Sequence, residues 1–143
     1  MNQDTARLLE ECDSGCRMAA DSIGQVEPYA QKTSMKDILD SYRQQHEQLE
    51  KKCEWLLEVG GEPKKEPSAM ASTFSWVTTE AKLAMRKDDH QIAKLMMDGC
   101  NMGIQKISEY QNDYTNASPE AVSVAKQLVK LEEDFMQEMK AYM

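Results

Sequence analysis

Residues 35–56 read MKDILDSYRQQHEQLEKKCEWL, and the spacing of apolar side chains in this stretch decides the fold. Seven positions follow one another at alternating steps of four and three: Met35, Leu39, Tyr42, His46, Leu49, Cys53 and Leu56. This spacing is typical of one inward-facing stripe on an α-helix that packs against other helices. The stretch therefore predicts a long helix that is buried along one side and ends at Gly60, where glycine suits a helix C-terminus.

Similar apolar stripes occur in the sequence before and after this helix. They predict four further helices, over about residues 5–23, 68–86, 88–114 and 118–142. Residues of the types that cap helices precede four of the five predicted helices: Ser34, Ser68, the pair Asp88 and Asp89, and Ser118 before Pro119. No stretch shows strand alternation bounded by hairpin turns. The sequence therefore predicts an all-α fold.

The third predicted helix leaves two topologies open. Its roughly 19 residues measure about 28 Å at 1.5 Å per residue, which is long enough to run back along most of a bundle. If it lies outside as a crossover, the helices before and after it are parallel, and the other four form a four-helix bundle with one long connection. If it joins the core, the chain is a five-helix up-and-down bundle.

The composition indicates one globular domain over residues 1–143, with 41% apolar and 29% charged residues. A formal net charge of −8 repels phosphate backbones, and no stretch gathers enough Lys and Arg to reverse this locally, which argues against nucleic acid as a partner. The N-terminus has no leader pattern, and no window approaches the ~20 apolar residues of a membrane span. We therefore expect a cytoplasmic protein without a membrane span.

Two polar residues interrupt the apolar stripes near the middle of their helices: His46 in the second predicted helix and Glu132 in the fifth. In helical bundles, this height is where buried polar side chains build ligand and metal sites. One interpretation is a residual mononuclear metal site or an acid and base pair. The other is a buried ion pair or hydrogen bond that fixes helix register, and we favour it because one imidazole and one carboxylate leave a metal short of ligands.

Cys12 and Cys16 lie four residues apart on one face of the first predicted helix. Their sulfurs could both reach one soft metal ion, with thioethers from the 11 methionines nearby. The alternative treats them as two small apolar core residues, since a free cysteine packs as a hydrophobe. The other cysteines are Cys53 and Cys100, and no C-x-x-C pair occurs, so we expect free buried thiols rather than disulfides.

Four short motifs punctuate the predicted bundle: the Leu57-x-x-Gly60-Gly61-x-Pro63 helix exit, Ser68 and Trp76 in the crossover, the Asp88-Asp89 helix entry, and Met102-Gly103-Ile104. With these motifs, nearly the whole chain resembles the ferritin-like, rubrerythrin-related family of small bacterial proteins of unknown function. The resemblance implies a ferritin-like four-helix bundle with a helical crossover between the second and third long helices. By analogy at the level of the fold, it also suggests a stress- or envelope-associated role.

Iron-binding members of the wider ferritin-like group hold two metal ions in a cage of about six carboxylate and histidine ligands. This chain departs from that pattern, because Arg43 and Phe135 stand at two of the ligand positions. At mid-height of the fourth predicted helix, Gly99 and Gly103 bring no ligand, and Glu11 only flanks its stripe. A guanidinium beside the site would also oppose a dication. A dinuclear iron centre is therefore not expected.

We expect a non-enzymatic bundle with an incomplete metal cage, acting as a structural or binding protein with no catalytic residue and no cofactor. The alternative is a metal-binding ferritin-like oxidoreductase or a metal storage protein that holds iron, manganese or zinc through His46, Glu132 and Glu11, with Cys12 and Cys16 as soft-metal candidates. Because ferritin-like bundles commonly pair, the expected partner is a second copy in a homo-oligomer, most simply a dimer, or else another protein.

Overall fold

The computed structural model describes residues 1–62, 76 and 88–143, in which four long helices carry most of the chain. The elements are α1 (Gln3–Val26), a short 3-10 helix (Glu27–Tyr29), α2 (Thr33–Val59), α3 (Asp89–Asp113), α4 (Pro119–Met139) and a second 3-10 helix (Lys140–Tyr142). No strand occurs among the described residues, and the predicted all-α class is confirmed. The helix predicted over residues 68–86 lies outside the described residues, apart from Trp76.

Side-chain caps close the N-termini of α3 and α4 as the sequence predicts. The carboxylate of Asp88 accepts a hydrogen bond from the Gln91 N–H at 2.8 Å. The Ser118 hydroxyl accepts one from the Ala121 N–H at 3.2 Å, with Pro119 at the first helical position. These bonds satisfy amides that have no partner inside the helix, so the two helices begin where local sequence places them.

The start of α2 differs from the prediction. The helix begins at Thr33, and no side chain at the cap position bonds its free amides. Just before it, Asp89 of α3 accepts hydrogen bonds from the backbone N–H groups of Gln31 and Lys32, at 2.7 and 3.0 Å. The predicted Ser34 cap is therefore wrong, because a carboxylate from a distant part of the chain anchors this end of the helix instead.

Hydrogen bonds at the two ends of the bundle define the helix directions. The starts of α1 and α4 meet at one end, where the Ser118 N–H donates to Thr5 Oγ1 at 2.8 Å. The starts of α2 and α3 meet at the other end through Asp89, and there the Ser34 hydroxyl lies 2.6 Å from that of Tyr142. Therefore α2 and α3 are parallel. The four described helices form a bundle, and these directions fit both open topologies, because the second and fourth helices of a five-helix up-and-down bundle are also parallel. The segment that distinguishes a crossover from a fifth core helix lies outside the described residues.

The inward face of α2 agrees with the predicted stripe, with one correction at its end. The buried residues are Met35, Leu39, Tyr42, His46, Leu49, Cys53 and Leu57. The last predicted member, Leu56, is only partly buried, and Leu57 takes its place. A straight helix has 3.6 residues per turn, so a pattern that repeats every seven residues drifts around it over several turns.

The apolar core consists of two parts. Along α2, the seam passes from Tyr42 in one part to Leu49 in the other, and along α4 it passes from Phe135 to Leu128. The two polar seam residues lie between these positions in both helices. A polar layer therefore separates the two apolar halves of the bundle, at the height where the sequence places it.

Candidate functional site

The two polar seam residues, His46 of α2 and Glu132 of α4, face each other at this layer. His46 Nε2 lies 3.8 Å from Glu132 Oε1, and their side chains are 0% and 2% exposed. The structure thus brings together the imidazole and the carboxylate that the sequence singled out. The contact is too long for a hydrogen bond, but electrostatic interactions at this distance are strong away from water.

The ring of His46 is oriented by its own helix. His46 Nδ1 lies 2.7 Å from the carbonyl oxygen of Tyr42, one turn earlier, so its N–H donates to that oxygen. A hydrogen bond at one ring nitrogen sets the role of the other, and here it directs Nε2 toward Glu132. Among the described residues, neither Nε2 of His46 nor Oε2 of Glu132 has a hydrogen-bond partner.

Burial dominates the ionisation of Glu132. Removal from water raises the pKa of its carboxyl above the ordinary 4.5, whereas the neighbouring imidazole of His46 lowers it by a smaller amount. Three thiols also lie near enough to interact electrostatically with this carboxylate: Cys12 and Cys16 of α1 and Cys100 of α3. The carboxyl therefore keeps its proton to a higher pH than an exposed glutamate does.

Two glycines of α3 make room for bulky groups in this layer. A methyl group on Gly103 would overlap the carboxylate of Glu132, and one on Gly99 would overlap the indole of Trp76. Trp76 is itself buried, and its ring meets that of His46 edge-on with 6.1 Å between the ring centroids. A side chain fills the space beside each glycine, so the polar pair is enclosed.

Three thiols from α1 and α2 lie beside this layer. Cys12 and Cys16, the predicted soft-metal candidates, are fully buried, and so is Cys53 of α2. The neighbouring thiol of Cys53, together with burial, raises the pKa of Cys16 well above its ordinary value of 9. Burial likewise raises the pKa of Cys12. Sequence reasoning did not place Cys53 with the other two, although its position in the buried stripe of α2 was the available signal.

Glu11, the third candidate metal ligand, is engaged elsewhere. Its half-buried carboxylate is hydrogen-bonded to the hydroxyl of Tyr110 on α3. Burial raises the pKa of Glu11, and the same bond lowers it. Burial and the nearby Glu11 charge raise the pKa of Tyr110 to about 12. The layer between α2 and α4 therefore brings one imidazole and one carboxylate together without Glu11.

Sequence reasoning missed a group of three carboxylates between α1 and α2. In the described part of the chain, oxygen atoms of Asp13, Glu50 and Glu54 lie within 4.8 Å of one another. The guanidinium of Arg17 contacts all three, with nitrogen to oxygen distances of 3.4, 3.1 and 3.8 Å in that order. A cationic side chain thus already compensates this acidic group. Asp13 and Arg17 are four residues apart in the sequence, and so are Glu50 and Glu54. These spacings were the sequence signal for the group.

Comparison with known proteins identifies a similar fold. No protein-family model matches the chain, and no curated protein matches its sequence. A solved structure of a DUF305 fragment from Deinococcus radiodurans superimposes with a TM-score of 0.74, over 98% of this chain and 95% of that chain, at 16% sequence identity. At this level of identity the likeness shows the fold alone.

The resemblance to the ferritin-like, rubrerythrin-related family is therefore wrong, since the structural neighbour belongs to a distinct helical family. The residues on which the resemblance rested have local structural roles in this bundle. Asp88 caps α3, Gly61 adopts a φ of 81° after the end of α2, and Gly103 leaves room for Glu132. Such features predict helix ends and close contacts in many bundles, and they do not identify a family.

Proposed function

We propose that this chain is a non-enzymatic helical bundle, a structural or binding protein, in which the buried pair of His46 and Glu132 fixes how α2 packs against α4. The observation that carries the proposal is the 3.8 Å approach of these two groups inside an otherwise apolar seam. A buried ionisable group without a partner is strongly destabilising. A shift of either helix by one turn would separate the two groups, so the pair disfavours other registers.

The surroundings of the pair support a structural role over catalysis. His46 and Glu132 are both buried, and the groove of about 870 Å³ between α2 and α4 is lined by other residues, among them Lys52, Lys126 and Lys130. The raised thiol pKa values of Cys12, Cys16 and Cys100 also oppose a role as nucleophile, because reactive cysteines have lowered values. A substrate would have to displace packed core side chains to reach any of these groups.

A double-mutant cycle tests the proposal. His46→Leu and Glu132→Leu each leave one buried polar group without its partner, while the double variant replaces both with apolar side chains. We expect each single variant to lose stability and the double variant to regain part of it, with a coupling free energy of about 2–3 kcal/mol in urea unfolding. A matched cycle on the exposed neighbours Gln45 and Glu133 should show coupling near zero.

Additive losses in the first cycle would overturn the proposal, because two groups that stabilise each other must show coupling. Equal coupling in both cycles would also contradict it, since the effect would then belong to the packing of α2 and α4 in general. Circular dichroism of each variant at low temperature checks that all of them retain the helical fold.

A second candidate, a mid-bundle metal site, is favoured by one specific observation. His46 Nδ1–H is held by a backbone carbonyl, and Nε2 and Glu132 Oε2 have no hydrogen-bond partner among the described residues. A histidine that binds metal through one nitrogen is commonly oriented in this way through the other. Near-stoichiometric iron, manganese or zinc in protein purified without chelator, and its loss in His46→Ala, would support this candidate over the first.

Association with a second copy or with another protein stays a prediction. Trp55 and Val59 of α2 are 60% and 67% exposed and would favour it, because a partner would remove their apolar surface from water. Sedimentation of the protein and of a Trp55→Glu variant over a range of concentrations tests the prediction. None of the described helices has an apolar run of the length that a bilayer requires.

A further inference from the structure

The open groove between α2 and α4 gathers positive charge on an acidic protein. Its volume is about 870 Å³, and it is lined by Lys52 of α2 and by Lys126 and Lys130 of α4. One carboxylate, that of Asp134, also lines it, so three lysines and one aspartate leave an excess of positive charge. The whole chain has a formal net charge of −8. The groove therefore differs in sign from the molecule as a whole, and an acidic surface is complementary to it.

Two of the three lysines lie on opposite sides of the groove at the same height. The chain just after α4 contacts the start of α2, so the two helices run in opposite directions. Lys52 follows His46 by six residues, and Lys126 precedes Glu132 by six residues. Because His46 and Glu132 face each other, both lysines lie about 9 Å along the bundle from that pair.

The positive charge of these two lysines is not compensated within the described part of the chain. The Nζ atom of Lys130 lies 2.6 Å from the carboxylate of Asp134, whereas no ion pair among the described residues includes Lys52 or Lys126. Two cations at the same height repel each other. A carboxylate placed between them removes this repulsion and is attracted by both.

The floor of the groove is apolar. Leu49 of α2 is buried, Val122 and Leu131 of α4 are half-buried, and all three line the groove. The stretch of α4 along the groove extends from Pro119 to Asp134, which is about 22 Å at 1.5 Å per residue. An occupant that fills the groove is therefore elongated, with an apolar side toward the floor and negative charge toward the lysines.

Apolar surface continues beyond the groove along α2. Trp55 and Val59 follow Lys52 at steps of three and four residues, so the three side chains lie on one side of the helix. Trp55 and Val59 are 60% and 67% exposed. Exposed tryptophan is typical of surfaces that another protein covers. This continuity favours a macromolecular partner over a small ligand confined to the groove.

We propose that this groove is the docking site for an acidic amphipathic helix of another protein. The backbone groups of α2 and α4 are bonded within their own helices, so a partner cannot add a strand to them. A partner helix satisfies its own backbone, packs its apolar stripe on the floor, and pairs its flanking carboxylates with Lys52 and Lys126. The proposal rests on the binding role proposed above and specifies the chemistry of the partner.

Fluorescence anisotropy with a synthetic labelled peptide tests the inference. A peptide of about 16 residues matches the length of the groove. It carries leucines at steps of three and four, glutamates on both sides of them and alanine elsewhere, and the control peptide has lysine in place of each glutamate. We expect one acidic peptide to bind per chain, with an affinity that falls as sodium chloride is added, and the basic peptide not to bind.

Charge reversal in the groove identifies the site. The double variant Lys52→Glu with Lys126→Glu replaces two attractions by two repulsions, so it should weaken binding of the acidic peptide by roughly tenfold or more, which corresponds to about 1.4 kcal/mol. The matched control is Lys36→Glu with Lys94→Glu, which changes the net charge equally at two exposed lysines outside the groove. It should bind the peptide nearly as well as the original protein. All four lysines are exposed, and circular dichroism checks that both variants keep the helical fold.

No binding of the acidic peptide, equal binding of the basic peptide, or equal weakening by the control variant would overturn the inference. Saturable binding of sodium dodecanoate without binding of the peptide would assign the groove to a small amphiphile instead. Self-association that the groove variant abolishes, again without peptide binding, would assign it to a second copy. None of these outcomes changes the coupling between His46 and Glu132, so failure of this inference is distinguishable from failure of the proposed function.

Discussion

Ionisable side chains join helices in two regions of this molecule, and the two regions differ mainly in their access to water. Between α1 and α2, Arg17 contacts three carboxylates, and its side chain is 21% exposed. Between α2 and α4, His46 and Glu132 meet with their side chains almost completely buried. The distances overlap, at 3.1–3.8 Å in the first region and 3.8 Å in the second.

The difference indicates that solvation, more than distance, decides what each region does. In the Arg17 cluster, water and several hydrogen-bond acceptors share the charge, so the loss of one partner is partly compensated. In the buried pair, no water replaces a missing partner, and each group depends on the other. We therefore expect the first region to add a modest amount of stability, and the second to have the proposed role of discriminating between correct and incorrect packing of the helices.

We expect the largest effect in a comparison of two variants that each remove one carboxylate, one variant from each region. Glu132→Ala should lower the free energy of unfolding by about 3–5 kcal/mol, because it leaves His46 buried without its partner. Glu54→Ala removes one of three partners of a partly exposed arginine and should cost about 0–1 kcal/mol. Urea unfolding of both variants measures the difference, and equal losses would show that burial does not separate the two regions.

A pair of glycine substitutions tests how tightly the buried pair is enclosed. Gly103→Ala introduces a methyl group where the Glu132 carboxylate lies, and the resulting displacement should cost about 1–3 kcal/mol. Gly15→Ala, in α1, places its methyl group 3.5 Å from Leu128, an ordinary contact, and should stabilise the chain by about 0.5–1 kcal/mol through helix propensity. Thermal and urea unfolding should show a loss of stability in Gly103→Ala and a gain in Gly15→Ala. Destabilisation by both substitutions would contradict the packing described.

The pH dependence of stability reports the ionisation of the buried carboxyl. Burial raises the pKa of folded Glu132, so between about 4.5 and that raised value the folded chain binds more protons than the unfolded chain. Stability should therefore fall as the pH rises through this window, by at most about 1.4 kcal/mol per pH unit. Glu132→Gln cannot ionise and should lack this slope in urea unfolding measured against pH. If both proteins showed the same slope, the pH dependence of stability would have to come from ionisable groups other than Glu132.

The smallest expected effect belongs to the exposed region. Arg17→Met keeps the length of the side chain but removes its charge, and we expect a loss of about 1 kcal/mol or less at low salt. The loss should shrink as sodium chloride is added, because salt screens charges that water reaches. The loss in Glu132→Ala should change little over the same range. A strong salt dependence of the buried pair would mean that water reaches it.

The sequence predicted those parts of the candidate site that depend on single helices. The inward positions of His46 and Glu132 follow from their stripes, and the structure brings the two residues together. The involvement of Glu11 could not be decided in this way, because its carboxylate is bound by Tyr110 of another helix. The position of Cys53 beside Cys16 likewise depends on how far α2 is displaced along α1, which the spacing within either helix does not specify.

By itself, the sequence determined the all-α class, the buried face of α2 from Met35 to Cys53 and the caps at Asp88 and Ser118. These features arise from contacts between residues a few positions apart, which helical periodicity and local hydrogen bonding govern. Only the tertiary structure decided the relative directions of the four described helices, the bond from Asp89 to the start of α2 and the grouping of Arg17 with three carboxylates. Those contacts require a particular rotation and height of one helix against another, and the packing of the whole core sets these.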